Sequence, residues 1–118
     1  MIATIAARAA ASSPVFAASV RPTPAGVAEH GPRVAPRFAL GLELIHEGYL
    51  VHQGASRAFA PPDAETAILL GDHLYADGLV EICRTGDLGA VAVLAELIAS
   101  VSIAADEPAW ERAVAALR

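Results

Sequence analysis

The sequence predicts an all-α fold, a small antiparallel helical bundle. Apolar side chains recur at helical spacing, as in Phe38, Leu42, Ile45 and Tyr49, which share one face of a helix. No stretch of useful length alternates apolar and polar residues as a half-buried strand would. The segments between the predicted helices are short, which favours antiparallel neighbours. The chain has 118 residues, which suits one domain of this kind.

The chain divides near residue 37. Residues 1–37 hold five of the eight prolines and four arginines against one glutamate (net +3), whereas residues 38–118 hold four arginines against twelve acidic residues (net −8). A short helix is predicted over residues 2–11. Residues 12–36 are expected to form a loop or loosely packed arm, because proline removes a donor and disfavours helix in the residue before it. We therefore expect a Pro/Ala-rich, partly irregular N-terminal arm and an α-helical domain over residues 38–118.

Capping residues and helix breakers set the boundaries of four further helices. The first begins at Pro36, a residue suited to the first turn, and ends at Gln53-Gly54. It is apolar on several faces, so we expect it to be buried on more than one side. Asp63 and Asp87 are predicted to cap the next two, and Asp106-Glu107-Pro108 starts the last one. These three helices run from Asp63 to about Arg84, from Asp87 to about residue 105, and from Asp106 towards the end of the chain.

Two pairs of glycines lie inside the predicted helices. Gly41 and Gly48 are seven residues apart, as are Gly71 and Gly78, so each pair lies on one helix face. A glycine inside a helix costs about 1 kcal/mol relative to alanine. The pairs indicate either close backbone contact between neighbouring helices or drift in a tolerant protein.

Composition restricts the class of partner. The net charge of −5 argues against nucleic acid, because phosphate binding needs a basic face. Hydrophobic residues make up 55% of the chain, and a small domain buries such an excess by forming oligomers. The longest apolar run, residues 91–105, contains Glu96 and is too short to span a membrane. The single cysteine, Cys83, is expected to be a small core residue, and a reduced, cytoplasmic setting fits its isolation.

The run HEGYLVHQGASR, which starts at His46, has the composition of an active site without a complete motif. Glu43 forms a Glu-x-x-His pair with His46, as in half of a di-metal bundle site. His46 and His52 are six residues apart and point in different directions, unlike the i, i+4 pair of a zincin. Either these polar side chains lie on the more hydrated face of the bundle, or they bind a metal. The metal interpretation involves Glu43, His46, Asp72 and His73.

The end of the same predicted helix offers a second candidate site. Tyr49, His52 and Arg57 could form a small anion pocket there. A helix C-terminus carries the negative end of the dipole, so it favours histidine and arginine rather than a bound anion. We therefore interpret these residues as capping the helix.

Three segments of the chain resemble a known family. They read ALGLELIHEGYLVHQGASRAF from residue 39, TAILLGDHLYADGLVEICRTGD from residue 66 and AVAVLAELIASVSIAADE from residue 90. Together they resemble the central portion of the trans-isoprenyl diphosphate synthases, or polyprenyl synthetases. In that family a helix reading roughly A-x-E-L-I-H-x-x-S-L-I-H precedes an aspartate-rich D-D-x-x-D segment, and a later helix contains an A-I-L-x-G-D-x-L-L/Y-A run. The resemblance implies the central helices of the isoprenyl synthase fold.

The chain departs from this family at the metal-binding segment. Gln53, Gly54 and Arg57 stand where the family has its magnesium-binding aspartates. Mg²⁺ bound to a diphosphate needs carboxylate oxygens from the protein, and an arginine repels it. The resemblance therefore implies a chain without catalytic residues or a cofactor, where Mg²⁺ would enter only with a bound diphosphate. The vacated ligand site would consist of His46, Tyr49, His52, Gln53 and Arg57.

The resemblance also implies a mode of association. In the family, the helices that match residues 63–84 and 87–105 form much of the subunit interface. We therefore predict a homodimer, or a heteromer with a helical synthase-like subunit, in which this chain is a dimerising or accessory subunit linked to isoprenoid biosynthesis. One alternative is a helical module that binds a small apolar ligand such as a prenyl chain or a lipid, and a further alternative is a metal-binding helical bundle.

Overall fold

Six α-helices and one short 3-10 turn, Gly31–Arg33, make up the regular structure of the computed structural model, which describes residues 1–118. The model contains no β-strand, so the prediction of an all-α helical bundle is confirmed. None of the helices combines the length and the apolar character that crossing a membrane requires. The helices are α1 (Ile2–Ser12), α2 (Pro14–Ala18), α3 (Pro36–His52), α4 (Ala64–Cys83), α5 (Leu88–Ile103) and α6 (Glu107–Leu117).

The helix ends follow the predicted capping chemistry. The Asp63 carboxylate accepts a hydrogen bond from the backbone amide of Thr66 at 2.8 Å, at the start of α4. Asp87 and Asp106 cap α5 and α6 in the same way. Gly54, just beyond α3, has a φ of +72°, a conformation that glycine adopts without strain. The predicted boundaries of these helices are confirmed.

The two glycine pairs meet each other between α3 and α4. A Cβ added at Gly48 would lie 2.8 Å from the carbonyl oxygen of Gly71, and one added at Gly78 would lie 2.7 Å from that of Gly41. Because Gly41 faces Gly78 while Gly48 faces Gly71, the two helices run antiparallel. Of the two interpretations of these glycines, close backbone contact is confirmed.

Helix α3 lies between two apolar clusters, which explains why its sequence is apolar on several faces. One cluster joins α1 to α3 and α4 and includes Ile5, Leu44 and Leu70. The other joins α3 to α5 and α6 and is centred on Trp110, which is 1% exposed. Eleven of the 17 residues of α3 are buried, so the prediction that this helix is covered on more than one side is confirmed.

The N-terminal part of the chain is more ordered than its prolines indicate. Helix α1 buries Ile2, Ile5, Ala6 and Ala9, which fall on one helical face. Its Arg8 guanidinium lies 2.6 Å from the Asp77 carboxylate and 2.9 Å from that of Glu81, both on α4. Helix α1 is therefore part of the core of the molecule.

Residues 12–36 are partly irregular and mostly exposed, but they are not without structure. This segment contains α2 and the 3-10 turn, and its middle part pairs with the loop after α3. The amide of Arg21 donates to the carbonyl oxygen of Ala58 at 2.9 Å, and the amide of Ala60 donates to that of Ser19 at 2.7 Å. The prolines of this segment do not predict these hydrogen bonds, because the partner residues lie more than thirty positions away in the chain.

The expectation that Cys83 is a core residue is wrong. Cys83 is exposed at the last position of α4, whereas its neighbour Ile82 is completely buried. Successive residues on a helix are turned by about 100°, so an apolar run contains both inward and outward positions.

Candidate functional site

The polar residues of α3 lie inside the protein and not on a hydrated face. Glu43 and Glu47 have no exposed surface, and His46 is 5% exposed. The expectation that these side chains face solvent is therefore wrong. A buried carboxylate is stable only when it is paired and hydrogen-bonded, so each of the two needs partners.

Arg57 supplies the positive charge for both carboxylates. Its Nη2 lies 3.2 Å from Glu43 Oε2, and its Nε lies 3.0 Å from Glu47 Oε1. Nη1 donates to the carbonyl oxygen of Val27 at 2.5 Å, and Nη2 lies 3.4 Å from His46 Nδ1. The guanidinium is thus fully engaged by groups from α3 and from the N-terminal segment.

Glu47 also holds the loop that follows α3. Its Oε2 accepts hydrogen bonds from the Ser56 hydroxyl at 2.6 Å, from the Arg57 amide at 2.9 Å and from the Ala58 amide at 3.3 Å. Ser56 Oγ in turn accepts from the Phe59 amide at 2.9 Å. These contacts turn the loop back along α3 and place the Arg57 side chain beside the middle of the helix.

This arrangement corrects the capping interpretation of Arg57. The last carbonyls of α3 are satisfied by backbone amides, with Gln53 donating to Tyr49 and Ala55 donating to Leu50. Because Arg57 points to Glu43 and Glu47 instead, it does not cap the helix.

Glu43 connects α3 to the 3-10 turn. Its Oε1 accepts from the amides of His30 and Gly31 at 2.7 and 2.8 Å. Burial opposes ionisation of this carboxyl, but the His46 imidazole, 3.8 Å from Oε2, and the two amides outweigh it and lower its pKa to about 2. Glu43 is therefore a carboxylate at neutral pH.

Three rings surround Trp110 next to these ions. The His30 ring stacks on the indole with centroids 5.0 Å apart, and His46 and Tyr49 meet it edge-on at 5.0 and 5.4 Å. Burial, followed by the neighbouring His46 ring, lowers the pKa of His30. His30 Nδ1 is buried and has no hydrogen-bond partner.

The remaining residues of the predicted ligand site are separated from this cluster. His52 lies against α4, where its Nε2 is 3.3 Å from the Asp72 carboxylate and 3.3 Å from the carbonyl oxygen of Ile68. Gln53 is exposed beyond the end of α3. Of the five predicted residues, the structure brings His46 and Arg57 together, buries Tyr49 beside them, and leaves His52 and Gln53 at another surface.

The four residues of the predicted metal site are likewise divided. Glu43 and His46 are neighbours, whereas Asp72 pairs with His52 and the His73 ring packs against Phe16 at 5.0 Å. The group of three residues with ligand atoms within 4.8 Å of one another is Glu29, His30 and His46. The sequence shows that Glu29 and His30 are adjacent, but it does not show that they lie close to His46, because that contact depends on the fold.

Comparison of the chain with protein-family models, with curated proteins and with solved structures finds no match.

Proposed function

We propose that this chain is a non-catalytic helical subunit of isoprenoid biosynthesis, which associates through α4 and α5 with a second copy or with a synthase-like subunit. The observation that carries the proposal is an uncovered apolar face on α5. Leu88, Ala92, Ala95, Ala99 and Ile103 are all exposed, and steps of three or four residues place them on one face, which the exposed Glu96 borders. Leu88 is 81% exposed and Ile103 is 88% exposed. The outer face of a helix in a monomer is normally polar, so this one fits a contact surface.

The α5 face suits a second copy of the same chain. Its two large residues, Leu88 and Ile103, lie at opposite ends, and Ala95 lies close to the midpoint between them. In an antiparallel pair around a two-fold axis near Ala95, Leu88 of each copy would face Ile103 of the other. The alanines between them permit close approach of the two backbones. Helix α4 also exposes large apolar residues, Leu69 at 60% and Val80 at 48%.

The buried ion cluster supports the non-catalytic part of the proposal. Arg57, which stands at one position of the family's magnesium-binding aspartates, is bound to Glu43 and Glu47. Its charge is engaged by the protein's own carboxylates, and an arginine supplies no carboxylate oxygen to Mg²⁺ at this position. The other two positions, Gln53 and Gly54, are exposed and carry no carboxylate.

Self-association is tested by size-exclusion chromatography with light scattering at micromolar concentration. We expect a dimer for the native chain and a monomer for Ala99→Glu, which places a charge in the middle of the apolar face, away from its border with Glu96. Ala115→Glu is the matched control, because Ala115 is an exposed alanine on α6, outside the surface. A native chain that stays monomeric, and that recovers no synthase-like protein when purified from its host, contradicts the proposal.

The loss of diphosphate binding is tested on the native chain. Restoring aspartate at position 57 would put a third carboxylate beside Glu43 and Glu47, so such a variant would unfold rather than regain a site. We therefore expect no heat of binding when Mg²⁺ and inorganic diphosphate are titrated together into the native protein. Saturable, Mg²⁺-dependent binding of diphosphate contradicts the interpretation of the site as vacated.

A groove favours the apolar-ligand module as a second candidate. The groove measures about 480 Å³, lies where the end of α3 meets the start of α4, and is lined mainly by apolar residues, including Val51, Ala67 and Ile68. A fluorescent prenyl alcohol tests this function, with Ala67→Trp expected to block binding and Ala115→Trp expected to leave it unchanged. Equal binding by both variants excludes this groove as the site.

A further inference from the structure

Two histidines and a glutamate converge beside the buried ion cluster. Glu29 and His30 come directly before the 3-10 turn, and His46 comes from the middle of α3. Their ligand atoms lie within 4.8 Å of one another, and the two imidazole centroids are 4.4 Å apart. Imidazole nitrogens and a carboxylate oxygen are the donors that bind zinc-class ions in proteins.

His30 is the member of this group that the rest of the fold leaves unexplained. It is 7% exposed, its ring is held flat against Trp110, and its Nδ1 has no hydrogen-bond partner. Buried polar atoms in native proteins are nearly always paired, and Glu43, Glu47 and Arg57 beside it follow that rule. The His30 imidazole thus has a buried nitrogen without a hydrogen bond and lies beside a second imidazole and a carboxylate, which are the side chains that ligate zinc-class ions.

The charges around the group favour a cation. Glu29 belongs to the group and Glu43 contacts both histidines, while the single guanidinium of Arg57 is shared between Glu43 and Glu47. Arg33, the other nearby cation, is paired at the surface with Glu111 at 2.6 Å. A divalent ion would balance the negative excess that these groups leave.

We propose that Glu29, His30 and His46 bind one divalent transition-metal ion of the zinc class, with a fourth position open to water. Tetrahedral coordination with bonds of about 2.0–2.1 Å needs ligand atoms about 3.4 Å apart, whereas these atoms lie within 4.8 Å of one another, so ligands have to approach by up to about 1.4 Å when the ion binds. Glu29 is exposed, which gives the ion a route from solvent and gives the carboxylate freedom to close on it. The bound ion ties the N-terminal segment to α3. This site shares only His46 with the metal site predicted from the sequence, and it does not depend on the proposed function.

The test is metal binding by the full chain after treatment with a chelator, in a Cys83→Ser background that removes the exposed thiol as a competing ligand. Zn²⁺ is titrated calorimetrically, and Co²⁺ is used as a spectroscopic probe of the ligand geometry. We expect one ion per chain, visible absorption typical of four-coordinate Co²⁺, and a higher melting temperature with Zn²⁺. Glu29→Gln and His30→Gln should each weaken Zn²⁺ binding about 100-fold or more, since even outer partners of metal ligands contribute roughly 10–100-fold.

Two matched substitutions control for general effects. Glu107→Gln removes another exposed carboxylate at the start of a helix, and His73→Gln removes the other histidine with a buried unpaired nitrogen. Both should bind Zn²⁺ as the parent does. Because Glu29 is exposed, Glu29→Gln remains folded and keeps the test decisive even if His30→Gln does not fold. Zn²⁺ binding that is unchanged in Glu29→Gln, or absent from the parent at millimolar Zn²⁺, overturns the proposal.

Discussion

Removal of the Arg57 charge should be among the most damaging single changes in this protein. Arg57→Met keeps a long unbranched side chain but leaves Glu43 and Glu47, both completely buried, without a cation. Breaking a buried ion pair in this way costs about 3–5 kcal/mol, because an uncompensated charge stays in the interior. A domain of 118 residues has a total stability of roughly 6–18 kcal/mol. The variant therefore loses a large fraction of the free energy of unfolding.

The effect can be measured by thermal and urea unfolding followed by circular dichroism. At about 2.1 cal/mol/K per residue, the entropy of unfolding converts each kcal/mol into about 4 °C, so we expect the melting temperature to fall by about 12–20 °C. Arg33→Met is the control, because it removes an arginine whose pair with Glu111 is exposed and worth about 0–1 kcal/mol. Adding Glu47→Gln to Arg57→Met should recover part of the loss, since it removes one of the two stranded charges. If Arg57→Met is no more destabilising than Arg33→Met, the buried carboxylates do not depend on this guanidinium and the reasoning fails.

Three further outcomes follow from the packing and the charges. Gly48→Ala should destabilise the protein by about 1–3 kcal/mol in urea, because its Cβ would meet the Gly71 carbonyl oxygen at 2.8 Å. Gly89→Ala is the comparison and should cost less, because its Cβ would meet only the Asp87 side chain, at 3.3 Å; equal effects would contradict the close helix contact. The pKa of Glu43 is about 2 in the folded protein and ordinary in the unfolded chain, so its ionisation contributes roughly 3 kcal/mol to the free energy of unfolding. This contribution is fully present above pH 4.5 and is lost as the pH falls towards 2. Glu43→Gln should therefore flatten this part of the acid-unfolding profile, and an unchanged profile would contradict the lowered pKa of Glu43. Cys83 should react stoichiometrically with a thiol reagent in the native protein, and protection until unfolding would contradict its exposure.

The helical architecture could be predicted because its determinants are local. The Asp63 cap and the glycine after α3 act within a few residues of the chain, and the structure has helix ends at both places. The seven-residue spacing of the glycines correctly placed each pair on one helix face, and these two faces contact each other between α3 and α4. The spacing contained no information on which helix would be the partner.

The ion cluster could not be predicted, because each of its contacts crosses between segments. The sequence left the polar side chains of α3 either on a hydrated face or on a metal, because it shows no partner for the Glu43 carboxylate. Arg57, the partner of Glu43 and Glu47, was placed at the helix end by its position in the chain, but the loop of residues 53–63 turns back and brings it to the middle of α3. His30 also lies in this cluster, although it belongs to a proline-rich segment that the sequence predicted to be irregular.

The sequence alone therefore determined five of the six α-helices, their approximate ends and the faces that their glycines present, because caps, breakers and periodicity act over one or two turns; it did not predict α2 or the 3-10 turn. The tertiary structure alone decided which charges are buried and which remain free. Which charges are buried depends on distances between residues that are far apart in the chain. A buried carboxylate is stable only where the fold places a hydrogen-bond donor within about 3 Å of it. The tertiary structure therefore pairs Arg57 with the buried Glu47 carboxylate. It also places His30, which has an unpaired nitrogen, beside Glu29 and His46.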